Sequence, residues 1–347
     1  APTLLGEAER FHHTKAPRAL VVAPTRELAL QVMRELEWLY AETGAAFASC
    51  VGGMDMRTER QILGRGVHIV VGTPGRLRDH IERRSLDMRT LQAVVLDEAD
   101  EMLDMGFREE LEYILETTPK SRRTLMFSAT VPKSIATMAK RYQNNAMRVS
   151  TKEEEKQHLD IEYQAMTIAP NDRENAIINL LRFHEAQNAI IFCGTRAAVN
   201  LMKSRLNNRG FSVVAISGEL SQAERSNALQ ALRDGRASVC VATDVAARGL
   251  DIERMSHVVN YDIPHDTESY VHRIGRTGRA GRKGEAILFV SPREKRMLSA
   301  IEKATRQTIT RMQLPSSEDI ADRRVMQFME TLTETIESQD LAYFETV

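Results

Sequence analysis

Ala93-Val94-Val95-Leu96-Asp97-Glu98-Ala99-Asp100 sets an apolar, β-branched run directly before a cluster of acids. Four such residues are too few for a buried helix and fit a strand covered on both faces. Acids at the end of that strand stand at the carboxyl edge of a parallel sheet, where ligands bind. Runs of the same kind recur on either side. In the first half they are Ala19–Ala23, Phe47–Val51, Ile69–Val71 and Thr124–Phe127, and in the second Ala189–Cys193, Ser212–Ile216, Val239–Ala242, His257–Asn260 and Ala286–Val290. Helical patterns lie between them. Ser221-Gln222-Ala223-Glu224 is a capping box before an amphipathic stretch to Arg233, and Pro132 is expected in the first turn of the helix after Thr130. The alternating order predicts an α/β protein with two open, mostly parallel sheets covered by helices.

At roughly 100–200 residues per domain, 347 residues predict two domains. The first is expected over 1–150 and the second over 159–315. The polar run Thr151-Lys152-Glu153-Glu154-Glu155-Lys156-Gln157 marks a linker at 151–158. From 316 to 347 a different pattern begins: a charged amphipathic helix over Asp319–Gln339, then Leu341-Ala342-Tyr343-Phe344. Val325, Phe328, Met329, Leu332 and Ile336 form one apolar stripe on that helix. The stripe has to bury against the second domain or against a second copy of the chain.

Composition narrows the class. Hydrophobic residues make up 42% and charged residues 27%, enough for cores, and the net charge is −1. A polycation that coats nucleic acid everywhere is excluded. Local basic strips remain open, and Arg26, Arg76, Arg196, Arg273, Arg276 and Arg279 are the residues to supply them. Cys50, Cys193 and Cys240 are scattered without a CxxC pair, which argues against zinc and for a reduced cytoplasmic setting. No apolar run approaches the 18 or so residues of a membrane span, and no membrane role is expected.

The chemistry gathers at strand ends. Asp97 is placed to hold Mg²⁺ through water, and Glu98 to polarise an attacking water. Ser128 and Thr130, after another strand, can hydrogen-bond the acid cluster, Asp100 included, and couple it to the rest. Pro24-Thr25-Arg26, Gly52-Gly53 and Thr73-Pro74-Gly75-Arg76 each follow a strand and open a helix or turn. Free backbone N–H groups, hydroxyls and arginines suit a phosphodiester backbone and do not read bases. The second half repeats this with Thr195-Arg196, Gly218 and Thr243; Gly249 permits close backbone approach, and Asp251 can reach a ribose hydroxyl. The run His272-Arg273-Ile274-Gly275-Arg276-Thr277-Gly278-Arg279 lies about 175 positions after Asp97. Its glycines among arginines imply close approach to an anion, such as the charge developing on a transferred phosphoryl group.

Taken together, these motifs resemble a DEAD-box RNA helicase of superfamily 2 over nearly all of residues 1–315. The resemblance implies two RecA-like domains that close on ATP and RNA together. It implies Asp97 as the metal-side acid, Glu98 as the catalytic acid, and Arg276 and Arg279 as arginine fingers. Asp251 would contact the ribose, Gly249 the nucleotide, and His272 would link nucleotide to acid box. Pro24, Thr25, Arg26, Gly53, Thr73, Gly75, Arg76, Thr195, Arg196, Gly218 and Thr243 would grip the RNA backbone. The tail Arg323–Val347 resembles the start of a dimerisation module of bacterial cold-shock members, so a homodimer through this extension is one of the two partners open to its stripe.

The sequence departs from that pattern in one respect. It contains no Gly-x-x-x-x-Gly-Lys-[Ser/Thr], and the resemblance places that P-loop, with the adenine-reading segment, before Ala1. A first sheet missing a central strand is therefore expected, with two unpaired edges and poor autonomous stability. Residues 1–347 alone are expected to lack ATPase activity. The reading is an ATP-dependent RNA helicase that unwinds duplexes locally. Its rivals are a non-catalytic ATP-gated RNA clamp or scaffold and a DNA-translocating helicase of the same superfamily.

Overall fold

The computed structural model describes residues 2–150, 160–185, 188–247, 255–278 and 283–338. It divides into two compact units, one within 2–150 and one within 160–338. The first holds β1 Ala19–Val22, β2 Phe47–Cys50, β3 Ile69–Gly72, β4 Ala93–Leu96 and β5 Arg123–Met126. All pair in parallel, in the order β2-β3-β1-β4-β5. Alternate residues feed different faces. Leu20, Val22, Val94 and Leu96 join one core, and Ala19, Val21 and Ala93 join the other. This double burial explains why the strands read as continuous apolar runs.

The expected gap in this sheet is not there. β1 pairs with β3 on one side and with β4 on the other, at Ala19↔Ile69 and Ala19↔Ala93. The open edges are the outer sides of β2 and β5, and beyond β5 the large apolar residues Phe127 and Val131 are exposed. A second correction concerns Pro132. It is the N-cap of helix Lys133–Tyr142, with φ −64° and ψ 168°, and not a residue of the first turn.

The second unit holds β6 Ile161–Thr167, β7 Ala189–Phe192, β8 Val213–Ile216, β9 Val239–Ala242, β10 His257–Asn260, β11 Gly284–Val290 and β12 Thr310–Met312. Their order is β12-β6-β11-β10-β7-β9-β8, again all parallel. β6 and β12 escape the sequence reading. Glu162 and Gln164 interrupt the apolar run of β6, and β12 is a three-residue edge strand. Helix Gln222–Arg233 starts at the capping box expected of Ser221 and Glu224. The C-terminal helix runs Ser317–Ser338; Ile320 is buried at its root, while Val325, Phe328, Met329, Leu332 and Ile336 are exposed. Its expected last residue, Gln339, and the segment 341–344 lie outside the described residues, as does the linker 151–158.

The second unit owns two complete cores, one on each face of its sheet. A polypeptide of His158–Pro315 is therefore expected to fold alone. Its thermal unfolding, followed by circular dichroism, should be one cooperative transition; a non-cooperative melt would contradict this.

Candidate functional site

Because every strand of the first sheet is parallel, the loops after β1, β2, β3, β4 and β5 leave at one edge. Asp97 and Glu98 follow β4. The Asp97 N–H donates to Val22 O at 2.9 Å, which fixes the acid loop against β1. Half-buried, the Asp97 carboxylate accepts the Glu98 N–H at 3.1 Å. Burial pushes its carboxyl above the ordinary value, only partly offset by that bond. A hard oxygen donor held in this state suits a hard divalent cation such as Mg²⁺, which would restore the charged form. Glu98 adopts φ 47° and ψ 55° as the N-cap of helix Ala99–Asp104. A left-handed non-glycine residue stores strain and directs the side chain out of the helical path.

Asp100 sits at the second position of that helix and is 4% exposed. One of its carboxylate oxygens accepts from Thr130 N at 2.7 Å and Thr130 Oγ1 at 2.8 Å. Its own N–H donates to Ser128 Oγ at 3.2 Å, and Ser128 Oγ donates to Thr130 O at 2.7 Å. Asp100, Ser128 and Thr130 are thus brought together in one closed network. Burial alone would push the Asp100 carboxyl up. The hydrogen bonds from Thr130 outweigh it and hold the group below its ordinary value.

The remaining loops of this edge converge on Met54. Thr25 caps helix Arg26–Leu39 by accepting Leu28 N–H, and Pro24 precedes it. The Arg26 guanidinium reaches Met54 Sδ at 3.1 Å and Gly52 O at 3.5 Å. Gly53 has φ +78°, and a Cβ there would lie 3.4 Å from Arg26 Nη1. Thr73 is the N-cap of helix Pro74–Glu82, and its hydroxyl makes no cap bond; Gly75 is open to space. Arg76 donates to Met54 O at 3.0 Å and lies 3.6 Å from Glu59.

Glu59 and His80 are functional supports that the sequence reading missed. The buried Glu59 carboxylate accepts Val51 N–H at 3.0 Å and lies 2.7 Å from His80 Nε2. It ties the loop after β2 to the helix that carries Arg76. The available signal was the i, i+4 spacing of Arg76 and His80, which puts both on one helical face.

The second unit repeats this construction. Thr195 caps helix Arg196–Asn208 by accepting Ala198 N–H. A Cβ on Gly218 would meet the Arg196 guanidinium at 3.6 Å. In each unit a capping threonine is followed by an arginine laid over a glycine from the end of another strand.

The arginine run needs two corrections. Arg273 is not part of a basic strip. It is 2% exposed and gives a bidentate pair to Asp244, at 2.5 and 2.7 Å, while its Nη1 reaches Asn260 Oδ1 at 3.1 Å. The pair anchors helix Thr267–Ile274 beside Thr243, which precedes helix Asp244–Ala247. Gly278 does not mark close approach to an anion. Its φ is +64°, and a Cβ would fall 2.4 Å from Ile161 Cγ1 of the same unit. Gly275 likewise faces its own helix, 3.4 Å from Val271 O. His272 lies in the last turn of helix Thr267–Ile274, and Arg276 comes just after its C-cap, Gly275. Gly249, Asp251 and Arg279 lie outside the described residues.

Residues 3–138 match the family model described as DEAD/DEAH box helicase. Residues 172–281 match the helicase conserved C-terminal domain, and 315–347 the RNA helicase DeaD dimerization domain. The ATP-dependent RNA helicase DeaD of Mycobacterium tuberculosis is 46% identical over 95% of this chain and 59% of its own length. The DEAD-box ATP-dependent RNA helicase CshA of Bacillus licheniformis is 42% identical over 95% of this chain and 68% of its own length. The chain thus spans less than two thirds of the first of these relatives. S. cerevisiae Dbp5 bound to RNA and ADP BeF3 superposes with TM-score 0.80 at 30% identity, over 90% of this chain and 81% of that one. No helix among the described residues is long and apolar enough to cross a membrane.

The network around Asp100 gives a stability prediction. Its folded pKa lies below the unfolded value of about 3.9, so its stabilisation is present above that pH and is lost as pH falls through the folded value. Asp100→Ala should destabilise the first unit by about 1–3 kcal/mol at pH 7, since Thr130 N–H loses its acceptor. Urea unfolding should show the gap from the unmodified chain closing in acid. A gap that persists at low pH would refute the assignment.

Proposed function

Because the chain belongs to the DEAD/DEAH box helicases, we propose that it is an ATP-dependent RNA helicase. In this reading, two RecA-like domains, 1–150 and 159–315 joined by 151–158, close on ATP and RNA. Closure bends one strand and releases its partner locally. The observation that carries the reading is the shared edge of the first sheet. It presents the acids Asp97 and Glu98 beside three loops built for phosphate contact.

Asp97 would hold Mg²⁺, and Glu98 would orient the water that attacks the γ-phosphate. Bound Mg²⁺ neutralises charge on the phosphate oxygens. Arg276 and Arg279 stabilise the charge of the transferred group, Gly249 and Asp251 hold the nucleotide, and His272 connects it to the acid box. The Asp100–Ser128–Thr130 network passes the state of the acids to the RNA loops. Pro24, Thr25, Arg26, Gly53, Thr73, Gly75 and Arg76 contact the RNA backbone from one unit. Thr195, Arg196, Gly218 and Thr243 do so from the other. None of these places an aromatic ring against a base, so binding is blind to sequence and favours RNA through 2′-hydroxyl contacts. Similar proteins bound to RNA and nucleotide analogues support a chain that binds both ligands. Three buried free thiols suit a reducing, cytoplasmic setting.

The ATPase assay tests the reading. A polypeptide limited to residues 1–347 has no Gly-x-x-x-x-Gly-Lys-[Ser/Thr] cradle and should hydrolyse ATP at background rate, even with RNA. Joined to a segment that carries this loop, it should show RNA-stimulated turnover. On that background Arg276→Ala or Arg279→Ala should reduce turnover by roughly 10³-fold or more with little change in melting temperature. Near-normal turnover in either variant would overturn the two-domain site.

The exposed stripe of Val325, Phe328, Met329, Leu332 and Ile336 lies within the segment matching a dimerization domain. We assign it to contact with a second copy of the chain. Light scattering should give a dimer for the chain ending at Val347 and a monomer for one ending at Pro315. Equal monomer masses would remove the dimer.

A further inference from the structure

At the amino edge of the second sheet, opposite the Thr195, Gly218 and Thr243 loops, three metal-ligating side chains meet. His257 opens β10, and its register partner on β11 is Glu285, so both side chains leave the same face. His184 caps the C-terminal end of helix Arg173–Phe183. The Glu285 carboxylate spans the two rings: Oε2 lies 3.5 Å from His184 Nδ1, and Oε1 lies 3.7 Å from His257 Nε2. One ligand atom from each of the three residues falls within 4.8 Å of the others.

Ser256 lies against the other nitrogen of the His257 ring. Ser256 Oγ lies 3.0 Å from Asn188 O and 2.7 Å from His257 Nδ1. A carbonyl oxygen only accepts; with the hydroxyl proton shared to Asn188 O, which also accepts the Ser256 N–H at 2.9 Å, Ser256 Oγ accepts from His257 Nδ1–H. In the neutral ring this leaves Nε2 as a bare lone pair. That atom is buried and has no hydrogen-bond partner, and it faces a carboxylate oxygen. Two lone pairs in that arrangement repel unless a positive charge stands between them. His184 meets the carboxylate through Nδ1, and its other nitrogen, Nε2, is buried without a hydrogen-bond partner.

We propose that His184, His257 and Glu285 form a site for a divalent transition metal of the zinc type. With Zn–N and Zn–O bonds of about 2.0–2.1 Å, tetrahedral ligand atoms stand about 3.3 Å apart. The carboxylate oxygens lie 3.5 and 3.7 Å from the two ring nitrogens and the donor set as a whole lies within 4.8 Å, so the three side chains draw inward when the ion binds. Ser256 is the outer partner that orients one imidazole. The fourth position falls to water or to Glu162, the register partner of Glu285 on β6. Among neighbouring charges Arg323, 5.8 Å over the Phe183 ring, opposes a metal, and the two acids Glu285 and Glu162 offset it. Gln164 Nε2 contacts both acids, at 3.2 and 3.5 Å.

Cysteine spacing argues only against thiolate sites and does not bear on this one. The other three-donor group, Cys50, Glu59 and His80, differs in kind. There the Glu59 oxygens already bind Val51 N–H and His80, and Arg76 supplies the positive charge. The proposed ion would pin the end of helix Arg173–Phe183 to β10 and β11, at the base of the unit.

The test is metal binding by the 347-residue chain after chelator treatment. Zn²⁺, titrated in competition with a chromophoric chelator, should bind at one equivalent and raise the unfolding temperature. Ser256→Ala keeps all three ligands and should weaken binding about 10–100-fold. Glu285→Gln and His257→Gln should weaken it further and abolish the thermal shift. Co²⁺ should give the visible absorption of a tetrahedral site without a thiolate charge-transfer band. Equal Zn²⁺ affinity in the unmodified chain and Glu285→Gln would overturn the site, as would a thiolate band. So would the absence of any thermal shift with Zn²⁺, which would leave a plain imidazole–carboxylate contact in its place.

Discussion

The constraint on which the molecule depends is that, within each sheet, all the described strands run the same way. A parallel strand cannot return by a tight hairpin, so each must cross over, mostly through a helix, and start again at the same edge. Every strand then ends, and most of the crossing helices begin, at one rim of its sheet. The rim collects helix N-termini and free N–H groups whatever the sequence. What the sequence adds there is specific: acids after β4, hydroxyls after β5, and arginines at the helix starts after β1 and β7. The opposite rim receives strand starts and helix ends. His184, His257 and Glu285 meet there, far from any role in phosphate chemistry.

Beneath the rim the geometry is held by buried charges that are locally neutralised. Glu59 draws Arg76 and His80 to the loop after β2, and Arg273 grips Asp244 beside Thr243. Removing one member of such a pair leaves an uncompensated charge inside, which costs far more than the pair contributes. Glu59, His80 and Arg273 keep the surface loops in register although they are buried themselves.

Much of this was legible in the sequence, and the reasons differ by element. Strands such as Ala93–Leu96 and Val239–Ala242 are apolar on both faces, so their limits can be read directly. β6 could not be read, because Gln164 is polar yet 4% exposed, and only its neighbours in the sheet explain that. The chemistry-bearing residues stood out by type and by position after strands. Their supports did not. Nothing local distinguishes Arg273, which is buried, from Arg276 three positions on, because the difference lies in Asp244, some thirty positions earlier in the chain. Gly278 failed the same way: its neighbour Ile161 is remote in sequence and adjacent in space.

The order β2-β3-β1-β4-β5 also has a temporal consequence. β1 leaves the ribosome before any strand it will pair with. Its partners begin at Ile69 and Ala93, the second of them 74 residues after Ala19. At roughly 5–20 residues per second, both edges of the central strand wait about 4–15 s for completion. During that interval Ala19-Leu20-Val21-Val22 is a short apolar segment with unsatisfied backbone groups, as attractive to another nascent chain as to its own. The yield of folded protein should thus respond to translation speed and chaperone supply more than the finished structure's own stability would suggest.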